Sequence, residues 1–231
     1  MKKFFVSKAI FLSSVAALWL IVAAILSDLT EDVLNSEQII NFDKYFAAIF
    51  LTWRSALGLK FFYIITFLAN LEFVLPFAVI VLGFLIIKKY KTFIWPFIFT
   101  IASAELVTFI GKLLVRRIRP EAGALTMLDF SFPSGHATIS MAMYGYLAYL
   151  LVRSTNKKTA HLAILLLAEV LIILIGFSRL YLGVHYVSDI VAGYLVGILA
   201  LLAGISLREW LAFKSNQTPL PKSMLKSKLK K

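Results

Sequence analysis

The sequence contains no cysteine. Disulfides and cysteine-ligated metal sites are therefore excluded, and cysteine usage says nothing about the redox compartment. Acidic residues are scarce: 12 Asp and Glu stand against 24 Lys and Arg, for a formal net charge of +12. No internal repeat of convincing period is present. A secretory signal has a short apolar core and a small-residue cleavage site. Here MKKFFVSK is followed by a longer apolar run, Ala9 to Leu26, which reads as a retained anchor.

What is abundant is hydrophobicity. Of the 231 residues, 61% are apolar, and the mean hydropathy is +0.88. Soluble domains lie nearer roughly 45–50%, so the composition points to a polytopic membrane protein. A charge of +12 is compatible with nucleic acid, but the bases sit in short blocks between apolar runs and in the C-terminal tail. That pattern fits the inner face of a membrane protein, and no nucleic-acid partner is expected.

The expected fold is all-α, with six transmembrane helices near 9–27, 73–88, 92–112, 135–152, 160–177 and 190–212. Residues 61–87 are too long for one simple crossing, and Asn70 and Glu72 divide them. The part before the division, with Phe42–Leu57, is expected to form interfacial helices between spans one and two. Phe46, Phe50, Trp53, Arg54 and Lys60 suit a headgroup boundary. Residues 1–213 form the membrane domain. Residues 214–231 are a basic cytoplasmic tail, expected to be disordered and in contact with lipid headgroups.

Lysine and arginine set the orientation. Lys2, Lys3 and Lys8, then Lys88, Lys89 and Lys91, then Arg153, Lys157 and Lys158, and then the tail all fall on one side. Both termini are therefore expected to be cytoplasmic. The first external segment is acidic, with Asp28, Glu31, Asp32, Glu37 and Asp43. One external segment breaks the rule: GKLLVRRIRPE carries Lys112, Arg116, Arg117 and Arg119. Four cations on the unfavoured side ask for a functional reason.

Three polar clusters lie at the external ends of spans three to six: Lys112-x6-Arg119-Pro120, Pro133-Ser134-Gly135-His136, and Ser178-Arg179-x5-His185-x3-Asp189. Seven residues are nearly two helical turns, so Lys112 and Arg119 share a face if the helix continues. Arginine offers a fork to phosphate oxygens, and lysine a point charge. His185 and Asp189 are one turn apart, so the carboxylate can fix the imidazole tautomer. Ser134 and Gly135 open a helix whose unsatisfied N–H groups can hold phosphate oxygens. The constellation describes phosphoryl transfer. His185 attacks phosphorus, Lys112, Arg119 and Arg179 stabilise the charge, and His136 serves as acid and then base.

In order and internal spacing the three clusters resemble the signature of the type 2 phosphatidic acid phosphatase (PAP2) superfamily, and Arg117 fits an R-x-R-P variant. The resemblance implies a six-helix membrane phosphatase that acts without metal or other cofactor on lipid phosphates or diphosphates. It also implies His185 as nucleophile and His136 as acid/base. Substrates of the undecaprenyl diphosphate, phosphatidylglycerol phosphate or phosphatidic acid type are expected. The compact form fits a bacterial inner membrane protein with its active site at the periplasmic face.

Other residues carry weaker expectations. Arg116 reads as a headgroup contact and His161 as an interfacial structural residue. Asn70 and Glu72 read as capping the second span, and Phe130 and Phe132 as an interfacial lip. Glu105 shares the face of Lys112 and is either an accessory site residue or a packing group. Glu169 reads as a group that packs helices together. Three other functions compete: a lipid phosphotransferase using the same site, a transporter coupled through Glu105 and Glu169, and a vanadium haloperoxidase, which the membrane spans disfavour.

Overall fold

The computed structural model describes residues 2–214, with side chains from residue 13 onward. Residues 215–231, most of the expected tail, lie outside the described residues. The described chain consists of eight helices and carries no strand: α1 (Lys2–Asn35), α2 (Glu37–Thr52), α3 (Ala56–Phe67), α4 (Leu71–Ile87), α5 (Lys91–Val115), α6 (Gly135–Ser154), α7 (Lys158–Tyr181) and α8 (Val187–Lys214).

Among the described residues, five stretches are long and apolar enough to cross a membrane: 13–35, 56–87, 91–115, 158–181 and 187–214. Their outward faces remain apolar. Leu106, Val107, Phe109 and Ile110 on α5, with Leu165, Leu166, Leu167 and Val170 on α7, are all exposed. In water such a belt would be a liability; against lipid it is the solvated surface.

The expected fourth span, α6, is not among the five. It carries Thr138, Ser140, Tyr144, Tyr146 and Tyr149, and ten of its residues are buried. It packs against α5, α7 and α8 at the centre of the bundle. A helix enclosed by protein needs no apolar outer face, so its composition reports its neighbours instead of lipid. Its 20 residues are about 30 Å long.

Glycine sets the closest packing. A Cβ on Gly193 would lie 2.6 Å from the Ser134 carbonyl, and one on Gly197 2.6 Å from Met141 Cβ. This small-xxx-small pair lets α8 approach the start of α6. The contact is sealed where Ser134 N–H donates to the Asp189 carbonyl at 3.0 Å.

The apolar run 56–87 is one stretch by composition but two helices in the fold. The chain breaks at 68–70, and α4 starts at Leu71. The expected division at Asn70 is therefore real. Asn70 stands at the N-cap position, but its side chain makes no capping bond. Arg116 ends α5 in a left-handed conformation (φ 50°), and its Nε donates to Leu113 O at 3.0 Å. Phe132 is buried against Val33 and Ala192, so it is a core residue and not a lip. Glu169 is exposed and makes no hydrogen bond or ion pair among the described residues, which removes its expected packing role. His161 bonds the Thr155 carbonyl through Nε2 at 2.9 Å, a local structural contact.

Candidate active site

The chain leaves α7 just after Arg179, turns at Gly183 in the left-handed region (φ 66°) and re-enters helix at Val187. This short turn presents His185 and, in the first turn of α8, Asp189. His185 is 3% exposed and Asp189 fully buried. His185 Nδ1 lies 3.3 Å from Asp189 Oδ2, which also accepts from Tyr186 N–H at 2.9 Å. The other ring nitrogen, Nε2, is 3.1 Å from Arg119 Nη1. A guanidinium only donates and an ionised carboxylate only accepts. The two partners together fix the tautomer: Nδ1 carries the proton and Nε2 the lone pair. Burial pushes the His185 imidazole down to about 4, although the bond and charge of Asp189 pull the other way. At neutral pH its imidazole is uncharged, with the lone pair on Nε2.

A second layer holds Asp189. Arg117 Nη1 donates to Asp189 Oδ1 at 2.8 Å and to Ser188 Oγ at 2.7 Å. Arg117 Nη2 donates to Asp43 Oδ2 at 2.7 Å. Asp43 also accepts from Ser188 N–H at 3.0 Å and from the Ser188 hydroxyl. Burial opposes the charge of Arg117, but Asp189 and Asp43 outweigh it and raise its pKa. The guanidinium also stacks on Tyr186, 4.4 Å from the ring centre. Arg117 thus faces the carboxylate behind His185. Asp43, expected only as one of several external acids, is 1% exposed and belongs to this network. Its signal in the sequence is faint: one acid beside Asn41 and Lys44 on α2, among several acids of the same external segment.

The three expected phosphate-binding cations differ in their surroundings. Lys112 pairs with Asp129 at 2.9 Å, and its ammonium also donates to the Phe130 carbonyl. Arg119 pairs with Asp129 at 2.7 Å and donates to the Val184 carbonyl at 2.6 Å. Burial tends to raise the pKa of Asp129, but Lys112 and Arg119 outweigh it and hold it below the usual carboxylate range. A carboxylate therefore sits between two cations expected to hold a phosphate. Arg179 is 1% exposed. Its Nη1 donates to Thr66 Oγ1 at 2.7 Å, while Nε and Nη2 are buried without a partner. No carboxylate lies within ion-pair distance of it.

His136 sits in the first turn of α6, with Ser134 at the N-cap position and Gly135 as its first residue. The Ser134 hydroxyl is buried and unpartnered. His136 Nε2 lies 2.7 Å from Asn70 Oδ1, so Asn70 orients the second histidine instead of capping α4. His136 interacts electrostatically with Arg179, His185, Arg119 and Lys112. The fold thus gathers all three sequence clusters at one end of the bundle, opposite the lysine-rich turns between α4 and α5 and between α6 and α7. Beside them lies a pocket of about 320 Å³, lined by Ala69, Leu71, Val74, Phe109 and Ile139 and by Glu105, Thr108, Lys112, Asp129, Gly135 and His136.

An apolar bundle of this kind is a multi-pass membrane protein, and it gathers cations and two histidines at one end. The part of the chain that builds most of it, residues 93–212, matches the family model described as the PAP2 superfamily. The chain belongs to that superfamily. It is 34% identical over 143 residues to phosphatidylglycerophosphatase B of Bacillus subtilis, a match covering 58% of this chain and 68% of that protein. It is also 34% identical over 89 residues to an undecaprenyl-diphosphatase of Sulfolobus acidocaldarius, covering 38% of this chain and 34% of that protein. Among solved structures, a transmembrane PAP2-type phosphatidylglycerolphosphate phosphatase from Bacillus subtilis has the same fold. The TM-score is 0.72 at 23% identity, covering 90% of this chain and 98% of that one.

Proposed function

We propose that the protein is a multi-pass membrane phosphatase that removes phosphate from a lipid phosphate or diphosphate through a phosphohistidine on His185. The observation that carries this reading is the pairing of a nucleophile with an unmet cation. His185 Nε2 has its lone pair set by Asp189 and Arg119, and Arg179 keeps two buried donors without partners. In the first step Nε2 attacks phosphorus in line, and the bond to the lipid oxygen breaks. His136 gives that oxygen a proton. In the second step His136 takes a proton from water, the water oxygen attacks phosphorus, and His185 leaves. Arg179, Lys112 and Arg119 stabilise charge on the equatorial oxygens, with the start of α6 as a further donor. The phosphate takes the place of Asp129 between Lys112 and Arg119. The reaction needs no divalent metal, because these cations do that work.

The relatives named above point to isoprenoid and glycerolipid phosphates as the substrate class. A phosphate-release panel in detergent, over phosphatidylglycerol phosphate, phosphatidic acid and undecaprenyl diphosphate, tests the reading with lipid products identified by mass spectrometry. Release from at least one lipid, undiminished by chelator, is expected. No release, or release lost in chelator and restored by metal, contradicts it. Transfer of phosphate to a second lipid would make the protein a transferase. The site faces outward across a plasma membrane, with both termini inside. Since the chain lacks cysteine, a Leu128→Cys thiol should react with an impermeant reagent added outside; labelling only after lysis reverses the topology.

A further inference from the structure

Glu105 and Thr108 line the pocket beneath the phosphate clamp and have no role in the steps above. Both lie on α5 on the side of Lys112. At 1.5 Å per residue, Thr108 is about 6 Å and Glu105 about 10 Å deeper along the helix than Lys112. Thr108 is 3% exposed, and its hydroxyl has no hydrogen-bond partner. The Glu105 carboxyl makes no hydrogen bond or ion pair among the described residues. Its neighbours Leu106 and Phe109 are exposed apolar residues, so lipid offers it nothing. A carboxyl in such surroundings is costly unless a polar partner comes to it. The pocket is where such a partner can arrive, and the facing wall, Leu71 and Val74, is apolar.

We infer that Glu105 and Thr108 form a second subsite, which reads a hydroxyl on the leaving alcohol of the lipid. This rests on the lipid phosphatase reading above. With phosphate at Lys112, the first atoms of the leaving alcohol descend past Thr108 toward Glu105. A glycerol-type alcohol carries oxygen there. Its hydroxyl donates to the Glu105 carboxylate, and the Thr108 hydroxyl donates to an oxygen of the same glycerol. The leaving group of a polyprenyl diphosphate is the polyprenyl monophosphate, which sets anionic phosphate oxygens and then hydrocarbon at this depth and has no alcohol hydroxyl to donate to the Glu105 carboxylate. Sites built to hydrogen-bond a hydroxyl discriminate strongly against analogues that lack it. The subsite therefore selects glycerol-type lipid phosphates over polyprenyl diphosphates.

The test compares kcat/KM on phosphatidylglycerol phosphate and undecaprenyl diphosphate for the full chain in detergent. The variants are Glu105→Gln, Thr108→Val and Glu105→Leu with Thr108→Val. The double variant should lose about tenfold or more on the glycerol lipid and stay within about twofold on the polyprenyl lipid. Activity on the second lipid then shows that the variant is folded. Equal losses on both lipids would mean that Glu105 acts only through the charge of Lys112 or through folding, and would overturn the subsite. An unchanged ratio would overturn it as well. If the unaltered protein releases phosphate from neither lipid, the phosphatase reading fails and the subsite with it.

Discussion

The two ends of the bundle each bury an arginine, and the two are kept in opposite ways. At the lysine-rich end, Arg208 is 2% exposed. It pairs with Glu209 at 2.6 Å and lies 4.3 Å from the face of Phe93. Tyr149 donates to the same carboxylate at 2.7 Å. At the other end Arg179 is equally buried; its one hydrogen bond goes to the Thr66 hydroxyl, and it feels repulsion from Arg119 and a smaller attraction from Asp129. A buried charge without a partner is strongly unfavourable, whereas a paired one is tolerated. The charge of Arg208 is therefore paired within the fold, although its Nε is buried without a partner, whereas Arg179 has two such donors and makes no ion pair among the described residues. That asymmetry marks which end is the site.

The largest expected effects come from breaking this contrast. Arg179→Met should lower kcat/KM by about 10²–10³, the range for losing a transition-state donor, with no fall in Tm. Removing an uncompensated cation relieves the interior. Arg208→Met should do the reverse, lowering Tm while kcat stays within about threefold of the unaltered protein, since Glu209 loses its shorter ion pair and keeps only the longer one to Arg153 and the bond from Tyr149 among the described residues. Vanadate or inorganic phosphate should raise Tm in the unaltered protein and not in Arg179→Met. If Arg179→Met is the unstable variant and keeps activity, the arginine is a packing residue.

A smaller effect is expected behind the nucleophile. Asp43→Asn keeps the shape but weakens the hold on Arg117, and through it on Asp189. We expect kcat to fall by roughly tenfold, as for other outer partners of a working histidine, with KM little changed. Asp43→Glu should recover part of the loss. A change in KM alone would place Asp43 in substrate binding instead.

The pH dependence is the mildest test. His185 is held near 4 by burial, and its protonated form cannot attack phosphorus. The limb of kcat/KM due to this group should therefore fall only as pH drops through about 4. Stability follows the same sign. The unfolded chain's histidine takes up a proton near about 6.5, before the folded one does, so His185 costs stability as pH falls from there toward 4. A limb near neutrality assigned to His185 would mean that water reaches the ring.

Legibility in the sequence followed distance along the chain. His185 and Asp189 are four residues apart, and Ser134, Gly135 and His136 are adjacent, so closeness in sequence brought each group together in advance, although His185 lies in the turn before α8 and not on it. The partners that orient them come from far away: Asn70 lies 66 residues before His136, and Asp43 lies 145 before Ser188. Neither shares a helix with its target, so no periodicity could announce it. Arg117 was visible as a cation, but its direction, toward Asp189, depends on α2 folding over the site. The spans were legible where lipid demands apolar faces. At α6 that demand disappears: the helix expected at 135–152 is present as Gly135–Ser154, but it is enclosed by protein and less apolar than the other spans. Phe132 was misplaced for a similar reason: an aromatic beside a loop reads as interfacial until α1 and α8 close over it.

The central claim is that His185 carries the phosphoryl group. The most direct measurement is rapid acid-free quenching of the protein with a ³²P-labelled lipid phosphate, followed by a search for label that is acid-labile and base-stable, as phosphohistidine is. We predict label on the peptide containing His185 and none in His185→Asn. Full phosphate release by His185→Asn, or label on any other residue of the unaltered protein, would contradict the account.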